Sequence, residues 1–278
     1  MEKLYRIAGI SRQAHYKAIN RAKASQILFN EVNGRVEEIR QKHPRMGLKK
    51  VYHLLADCPV GRDKFIDWMM KAGHGVPPIR SFTRTTFSLK HIRFENLLSG
   101  KEFTGVNQAW VSDITYVRVG NRFYYLSLIL DVFTRQIVGW AISDSLTVEG
   151  SLQALKMAIT KLPRGKKKNL IHHSDRGTQY GSKEYQKLLS DNGIRISMGN
   201  KAWENAHAER INGILKQEYL DYYLDKRTSN INQQIKKVIY LYNQERPHGS
   251  LPGLKTPNGF NTDQIDNSKK NYTVKINY

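Results

Sequence analysis

Residues 110–133 read WVSDITYVRVGNRFYYLSLILDVF, and this stretch decides the fold. Its β-branched and aromatic residues predict two strands, 110–119 and 122–133. The intervening Gly120-Asn121 is a two-residue pair suited to the positive φ of a tight hairpin turn. Working outward, 136–142 predicts a third strand and 148–162 a helix. A short strand, 169–173, follows, then a helix over 182–192 that Gly193 ends, then a strand over 194–197. A β-β-β-α-β-α-β succession predicts an α/β protein with a mixed sheet flanked by helices, the order of a ribonuclease-H-like fold.

Three acids stand out against this frame. Asp113 lies inside a strand between apolar Val111, Ile114 and Val117, where a carboxylate needs a metal, a base or hydrogen bonds to stay charged. Asp175 lies just past the apolar end of strand 169–173, where ligands gather in open α/β sheets. Glu209 belongs to a long helix, about 205–224. There Ala208, Ile211, Leu215, Tyr219 and Tyr222 form the expected buried stripe, and Asn205, Glu209, Asn212 and Lys216 line another side. Carboxylates from two strands and a helix can converge on Mg²⁺ or Mn²⁺. Two such ions about 3.5–4 Å apart can stabilise the attacking and leaving oxygens of an in-line phosphoryl displacement. Each acid also has a plain structural reading. Asp175 can cap the turn Asp175-Arg176-Gly177, Asp113 can pair with an arginine, and Glu209 can pair along its helix with Lys216.

Composition narrows the partner. The 278 residues carry 45 Lys plus Arg against 24 Asp plus Glu, a net charge of +21. The excess is spread evenly: residues 1–105 hold 20 basic and 9 acidic side chains, and residues 106–278 hold 25 and 15. Such a surface points to nucleic acid. No apolar run approaches the ~20 residues that span a membrane, and no signal peptide or lipidation motif is seen, so a soluble intracellular protein is expected. Cys58 is the only cysteine, which excludes an internal disulfide and a multi-cysteine zinc site.

The remaining chain divides by pattern. Segment 1–25 predicts two short helices around Gly9, with Ser11 capping the second and Arg12, Gln13 and His15 facing outward. This is either a partial helix-turn-helix that contacts DNA or a simple helical hairpin. Segment 26–74 predicts a small helical domain whose core includes Val51, Leu55, Phe65, Ile66, Met69 and Met70. His53 and Trp68 are packing residues in this view. Segment 75–105 is a basic linker, 106–225 a catalytic core, and 226–278 a C-terminal helix and tail. Pro247 stops that helix.

The motifs themselves carry a resemblance. Trp110-Val111-Ser112-Asp113-Ile114-Thr115-Tyr116 and His172-His173-Ser174-Asp175-Arg176-Gly177-Thr178-Gln179-Tyr180 resemble two signatures of insertion-sequence transposases. Ser197-Met198 with Glu204-Asn205-Ala206-His207-Ala208-Glu209 resembles a third, and Tyr242-Asn243-Gln244-Glu245-Arg246-Pro247-His248-Gly249-Ser250-Leu251 a fourth. The chain is similar, from about 11 to 260, to the catalytic OrfB-type transposase proteins, whose core is shared with retroviral integrases.

The resemblance implies a ribonuclease-H-like core with Asp113, Asp175 and Glu209 as a metal-binding triad for two Mg²⁺ (or Mn²⁺) ions. It implies cleavage of DNA at element ends and transfer of the 3′ hydroxyl to target DNA. Lys216 would hold the DNA backbone or a terminal base, like the matching lysine of integrases, and Arg176, Gln179 and Tyr180 would position the strand, with plain surface or packing duty as the alternative for each. It also implies a homo-oligomer in the bacterial cytoplasm, at the nucleoid, and an upstream DNA-binding protein, separate or joined by frameshift. Two positions depart from the pattern. The 33 residues between Asp175 and Glu209 are two fewer than usual, and Glu204 replaces a customary aspartate, which leaves Glu204 as a rival third ligand. A nuclease that only hydrolyses and a non-catalytic regulator are the alternative functions.

Overall fold

The computed structural model describes residues 5, 7, 9–77, 94–163, 169–224, 230–266 and 272–277. The chain forms two compact units, divided after Pro78. The basic side chains of the linker at 80, 84, 90, 91 and 93 lie outside the described residues.

The first unit is helical. α1 (Arg12–Lys42) starts at Ser11, whose Oγ accepts the Ala14 N–H at 3.0 Å, so the predicted cap is present. The helix then continues for 31 residues, across the boundary drawn at residue 25. Nothing between Asn20 and Val36 breaks a helix except Gly34, which costs only about 1 kcal/mol. α2 (Leu48–Leu54) and α3 (Arg62–Lys71) complete the unit. Val32, Val36, Met46, Leu48, Val51, Leu55, Phe65 and Met69 are buried in its core. Met70, expected inside, is exposed, because Phe65 and Met69 already define the inward stripe and its one-residue offset turns it away. Trp68 packs edge-on against Phe29, and His53 is exposed.

The second unit is built on a five-stranded sheet. Its strands are β2 (Ala109–Val119), β3 (Arg122–Asp131), β4 (Ile137–Ser143), β5 (Ile171–Ser174) and β6 (Arg195–Met198), in the order β4-β3-β2-β5-β6. β2, β3 and β4 are antiparallel neighbours, and β5 and β6 run parallel to β2. β3 stops two residues early because buried Asp131 turns the chain. Its carboxylate accepts the Asn107 and Thr134 N–H groups and the Thr134 hydroxyl, each at 2.8 Å. β1 (Glu102–Phe103) pairs with β7 (Val274–Lys275) in a separate two-stranded sheet.

Strand alternation sends the apolar residues to two faces. Trp110 and Ile129 face α4 (Val148–Thr160) and α5 (Lys183–Asp191), with Ala154, Leu155, Ala158 and Leu189 opposite. Val111, Leu126, Leu128 and Leu130 face the long helix that begins with α6 (Ala206–Leu215), and also α7 (Ile231–Tyr240). Ile235, Val238, Ile239, Tyr242, Phe260 and Val274 belong to this same core. These residues from 235 to 274 therefore share the core of the sheet, since the apolar stripe of α7 finds its cover there.

The long helix also differs from the expected stripe. Ala208, Ile211, Leu215 and Tyr219 are buried, but Tyr222 is exposed. After α6 the helix takes one π turn, Lys216–Leu220, before the final turn Asp221–Tyr223. A π turn holds more residues than an α turn. The stripe therefore rotates, and Leu220 and Leu224 are buried instead.

Candidate active site

Strand pairing brings the first two acids together. β2 and β5 are parallel with Ser112 opposite Ser174, so Asp113 and Asp175 each follow a paired serine on neighbouring strands about 4.8 Å apart. Asp113 is half-buried. Its Oδ1 accepts the Ile114 N–H at 2.9 Å, and its Oδ2 accepts Asn212 Nδ2 at 2.7 Å. Burial pushes its carboxyl up to about 7, the neighbouring Asp175 charge adds to this, and the two hydrogen bonds oppose it. The Asp175 carboxyl is raised too, by burial, against the hydrogen bond from Gly177 N–H to its Oδ1 at 3.0 Å. The turn-capping reading of Asp175 is thus present, through its Oδ1.

The helix bearing the third acid is pinned over this pair. Asn205 Nδ2 donates to the Ser112 carbonyl at 2.9 Å, tying the helix start to β2 beside Asp113. Asn212, two turns further along, holds Asp113 itself. Glu209 lies between these anchors, three residues before Asn212 and on the same side. It is exposed, and its charge contributes to raising Asp113. Lys216 is half-buried in the π turn. Burial lowers its ammonium pKa, while Asp221 and Asp113 oppose the shift. Asp113, Asp175, Glu209 and Lys216 thus share one electrostatic neighbourhood. Among the described residues, however, no three acids, histidines or cysteines close into a metal-ligating group.

The donor chemistry fits a divalent cation. The neighbourhood offers hard carboxylate oxygens that repel one another, the condition that such an ion relieves. Asn212 Oδ1 is buried with no hydrogen-bond partner among the described residues. Flipping the amide would set that oxygen against the Asp113 carboxylate, so the orphaned acceptor belongs where it is.

The surrounding residues support the strands more than they extend the cluster. Ser112 Oγ donates to the Tyr180 hydroxyl at 2.9 Å. His172 and His173 are both buried: His172 Nε2 meets the Tyr185 hydroxyl at 3.0 Å, and His173 bridges Ser197 Oγ at 2.7 Å and the Glu204 carbonyl at 3.0 Å. Burial holds both rings neutral, near 3 and 4. Glu204, the rival third acid, has its Oε2 engaged by Asn200 N–H at 2.7 Å and Asn96 Nδ2 at 3.0 Å. Gln179 is buried and donates to the Leu146 carbonyl at 2.9 Å. Arg176 is half-buried, and its Nε has no hydrogen-bond partner among the described residues. Arg12 and Gln13 are exposed in the first turn of α1, and Arg12 stands 5.7 Å from the Tyr16 ring centre.

Comparison with known proteins agrees with this geometry. An integrase core domain model matches residues 104–202, and a second integrase core model matches 192–257. The insertion element IS600 uncharacterized 31 kDa protein of Shigella sonnei is 31% identical over 262 residues, 89% of this chain and 94% of that protein. The transposase for insertion sequence element IS629, also of Shigella sonnei, is 30% identical over 249 residues, 84% of this chain and 80% of that protein. The chain belongs to the insertion-sequence transposases with an integrase core. The fold of this transposase is also that of a retroviral integrase. The integrase in the simian T-cell lymphotropic virus intasome with PP2A regulatory subunit B56 gamma aligns at a TM-score of 0.53. The two are 17% identical, and the match covers 81% of this chain and 72% of that one.

The structure of the transposase adds residues that the sequence did not single out. Asn212 is one, legible beforehand only as a member of the polar side of its helix. The motif at 242–251 supplies the others. Tyr242 donates its hydroxyl to the Arg135 carbonyl at 3.0 Å. The Asn243 amide pairs with both the N–H and the carbonyl of Ile137, each at 3.0 Å, and so occupies the open edge of β4. Buried Arg246 grips Glu218 in the π turn through Nε at 2.7 Å and Nη2 at 2.6 Å. The motif thus ties the helix of Glu209 and Lys216 to the rest of the fold.

Proposed function

We propose that this transposase cuts DNA at the ends of its element and joins the freed 3′ hydroxyls to target DNA, with Asp113, Asp175 and Glu209 as the catalytic acids. The observation that carries the reading is the parallel register of Ser112 with Ser174, which sets two carboxyls, both raised by burial, side by side beneath the helix of Glu209. Asp113, Asp175 and Glu209 would hold Mg²⁺ or Mn²⁺, as a pair of ions. Such ions supply charge neutralisation at the phosphate and a more acidic nucleophile. Asn212 fixes the Asp113 carboxylate in one orientation, so the acid is set before substrate arrives. Lys216 and Arg176 would hold phosphate oxygens, and Arg12 and Gln13 would contact the element end from the helical unit.

The chemistry is an exchange. Water attacks a phosphodiester at the element end, a new P–O bond forms, and the 3′ oxygen leaves with a proton. That hydroxyl then attacks a target phosphodiester and displaces a second 3′ oxygen, so no nucleotide hydrolysis is required. Two ends must be handled together, which calls for a homo-oligomer working at the bacterial nucleoid, with an upstream DNA-binding protein or frameshift fusion as partner. Among the described residues no helix is long and apolar enough to cross a membrane. The test is incubation with Mg²⁺, a labelled element-end duplex and target DNA. Joined products are expected, and hydrolysis without joining would refute strand transfer.

A further inference from the structure

Trp203 exposes 59% of its surface in a turn that is otherwise tightly held. The 3-10 turn Ala202–Asn205 is pinned on both sides of the indole. Glu204 accepts from Asn200 N–H and Asn96 Nδ2, and its carbonyl meets His173 Nε2 at 3.0 Å. Asn205 bonds the Ser112 carbonyl at 2.9 Å. A rigid turn that displays the largest apolar side chain to water gains nothing from packing it. The Lys201 ammonium stands 4.8 Å from the Trp203 ring centre, so an aromatic face and a cation are offered together.

The place matters as much as the pair. Trp203 is two residues from Asn205, a span of about 7 Å at most, and Asn205 is bonded to the residue preceding Asp113. The turn leads directly into the helix of Glu209. Tyr222, similarly exposed, is instead engaged edge-on with Tyr223.

We propose that Trp203 and Lys201 form a binding site for an unpaired nucleobase of the DNA strand entering the acid cluster, the base stacked on the indole and its phosphate on the ammonium. This rests on the DNA-joining function proposed above and goes beyond it by naming the state of the substrate: a strand locally unpaired next to the cleaved bond. Stacking of this kind tolerates any base, because every base has a π face.

The test uses the full chain without divalent metal, with a single-stranded oligo-dT and a blunt duplex as probes and binding read by anisotropy. Trp203→Ala is expected to weaken single-strand binding roughly 5- to 150-fold, the span covered by loss of one base–aromatic stack, and to leave duplex binding within about 2-fold. Trp203→Phe should restore most of the loss. Lys201→Ala should lower the salt-dependence slope for the single strand by about 0.7. An unchanged thermal midpoint in Trp203→Ala confirms that the turn is intact. Equal loss on both probes, or no loss on the single strand, overturns the stacking site while leaving the transposase function standing. Failure of the unmodified protein to bind either DNA overturns the DNA-joining function and the stacking site together.

Discussion

Replacing Asp113 by Asn should stabilise the metal-free protein while abolishing its chemistry. The Asp113 carboxyl ionises near 7 in the fold, against 3.8 for a free aspartate. Between those values the folded protein holds the proton more tightly than the unfolded chain, so folding stability falls as pH rises across the interval. At about 1.4 kcal/mol per pH unit the loss reaches about 4 kcal/mol by pH 8. Asn carries no charge and removes this cost. It has one acceptor oxygen where Asp has two, so one of the hydrogen bonds from Ile114 N–H and Asn212 is lost, at about 1–3 kcal/mol. The net gain at pH 8 is about 1–3 kcal/mol, a rise of roughly 3–10 °C in Tm for a unit of this size. At pH 5 the loss is only about 1.7 kcal/mol, (5 − 3.8) × 1.4, comparable to the hydrogen bond given up, so the advantage should vanish. Scanning calorimetry on both proteins at pH 5 and 8, with EDTA and then with excess Mg²⁺, measures all four differences. Added Mg²⁺ should raise the unsubstituted protein and narrow the gap. An equal Tm difference at both pH values, or a less stable Asp113→Asn at pH 8, would refute the argument.

Other substitutions probe the frame around the acids. Glu218→Gln leaves the buried Arg246 guanidinium without its counter-charge and should cost about 3–5 kcal/mol, read by urea unfolding. Gly139→Ala would drive a Cβ into the Ala154 carbonyl of α4. It should lose about 1–3 kcal/mol or more, whereas an unchanged unfolding midpoint would show that β4 and α4 are not so close. Lys216→Ala should weaken duplex binding alike on all sequences and lower the salt slope by about 0.9. A sequence-dependent loss would instead make Lys216 a base reader.

Much of this site could be read in the residues because strand alternation and turn chemistry act locally. Gly120-Asn121, Ser11 and Gly193 punctuate the chain where their conformations demand, and Asp113 is conspicuous as an acid among apolar strand residues. What escaped depends on residues far apart in sequence. Asn212 needs the helix placed over β2 before its amide can meet Asp113. Arg246 needs the π turn of Glu218, and that turn also misled the helical stripe at Tyr222. The bond of Gln179 to the Leu146 carbonyl likewise joins residues 33 positions apart. The stripe of α7 likewise does not say which surface will cover it, and the fold places it against the sheet.

The central claim is that Asp113, Asp175 and Glu209 act on one metal site. Crystals of the transposase soaked in Mn²⁺, with diffraction recorded at the manganese absorption edge, test it most directly. The account predicts anomalous peaks about 2.0–2.3 Å from carboxylate oxygens of all three side chains, with Glu209 drawn in from solvent. Peaks that engage Asp113 and Asp175 while Glu209 stays outside, or no peak beside Asp113, would contradict it.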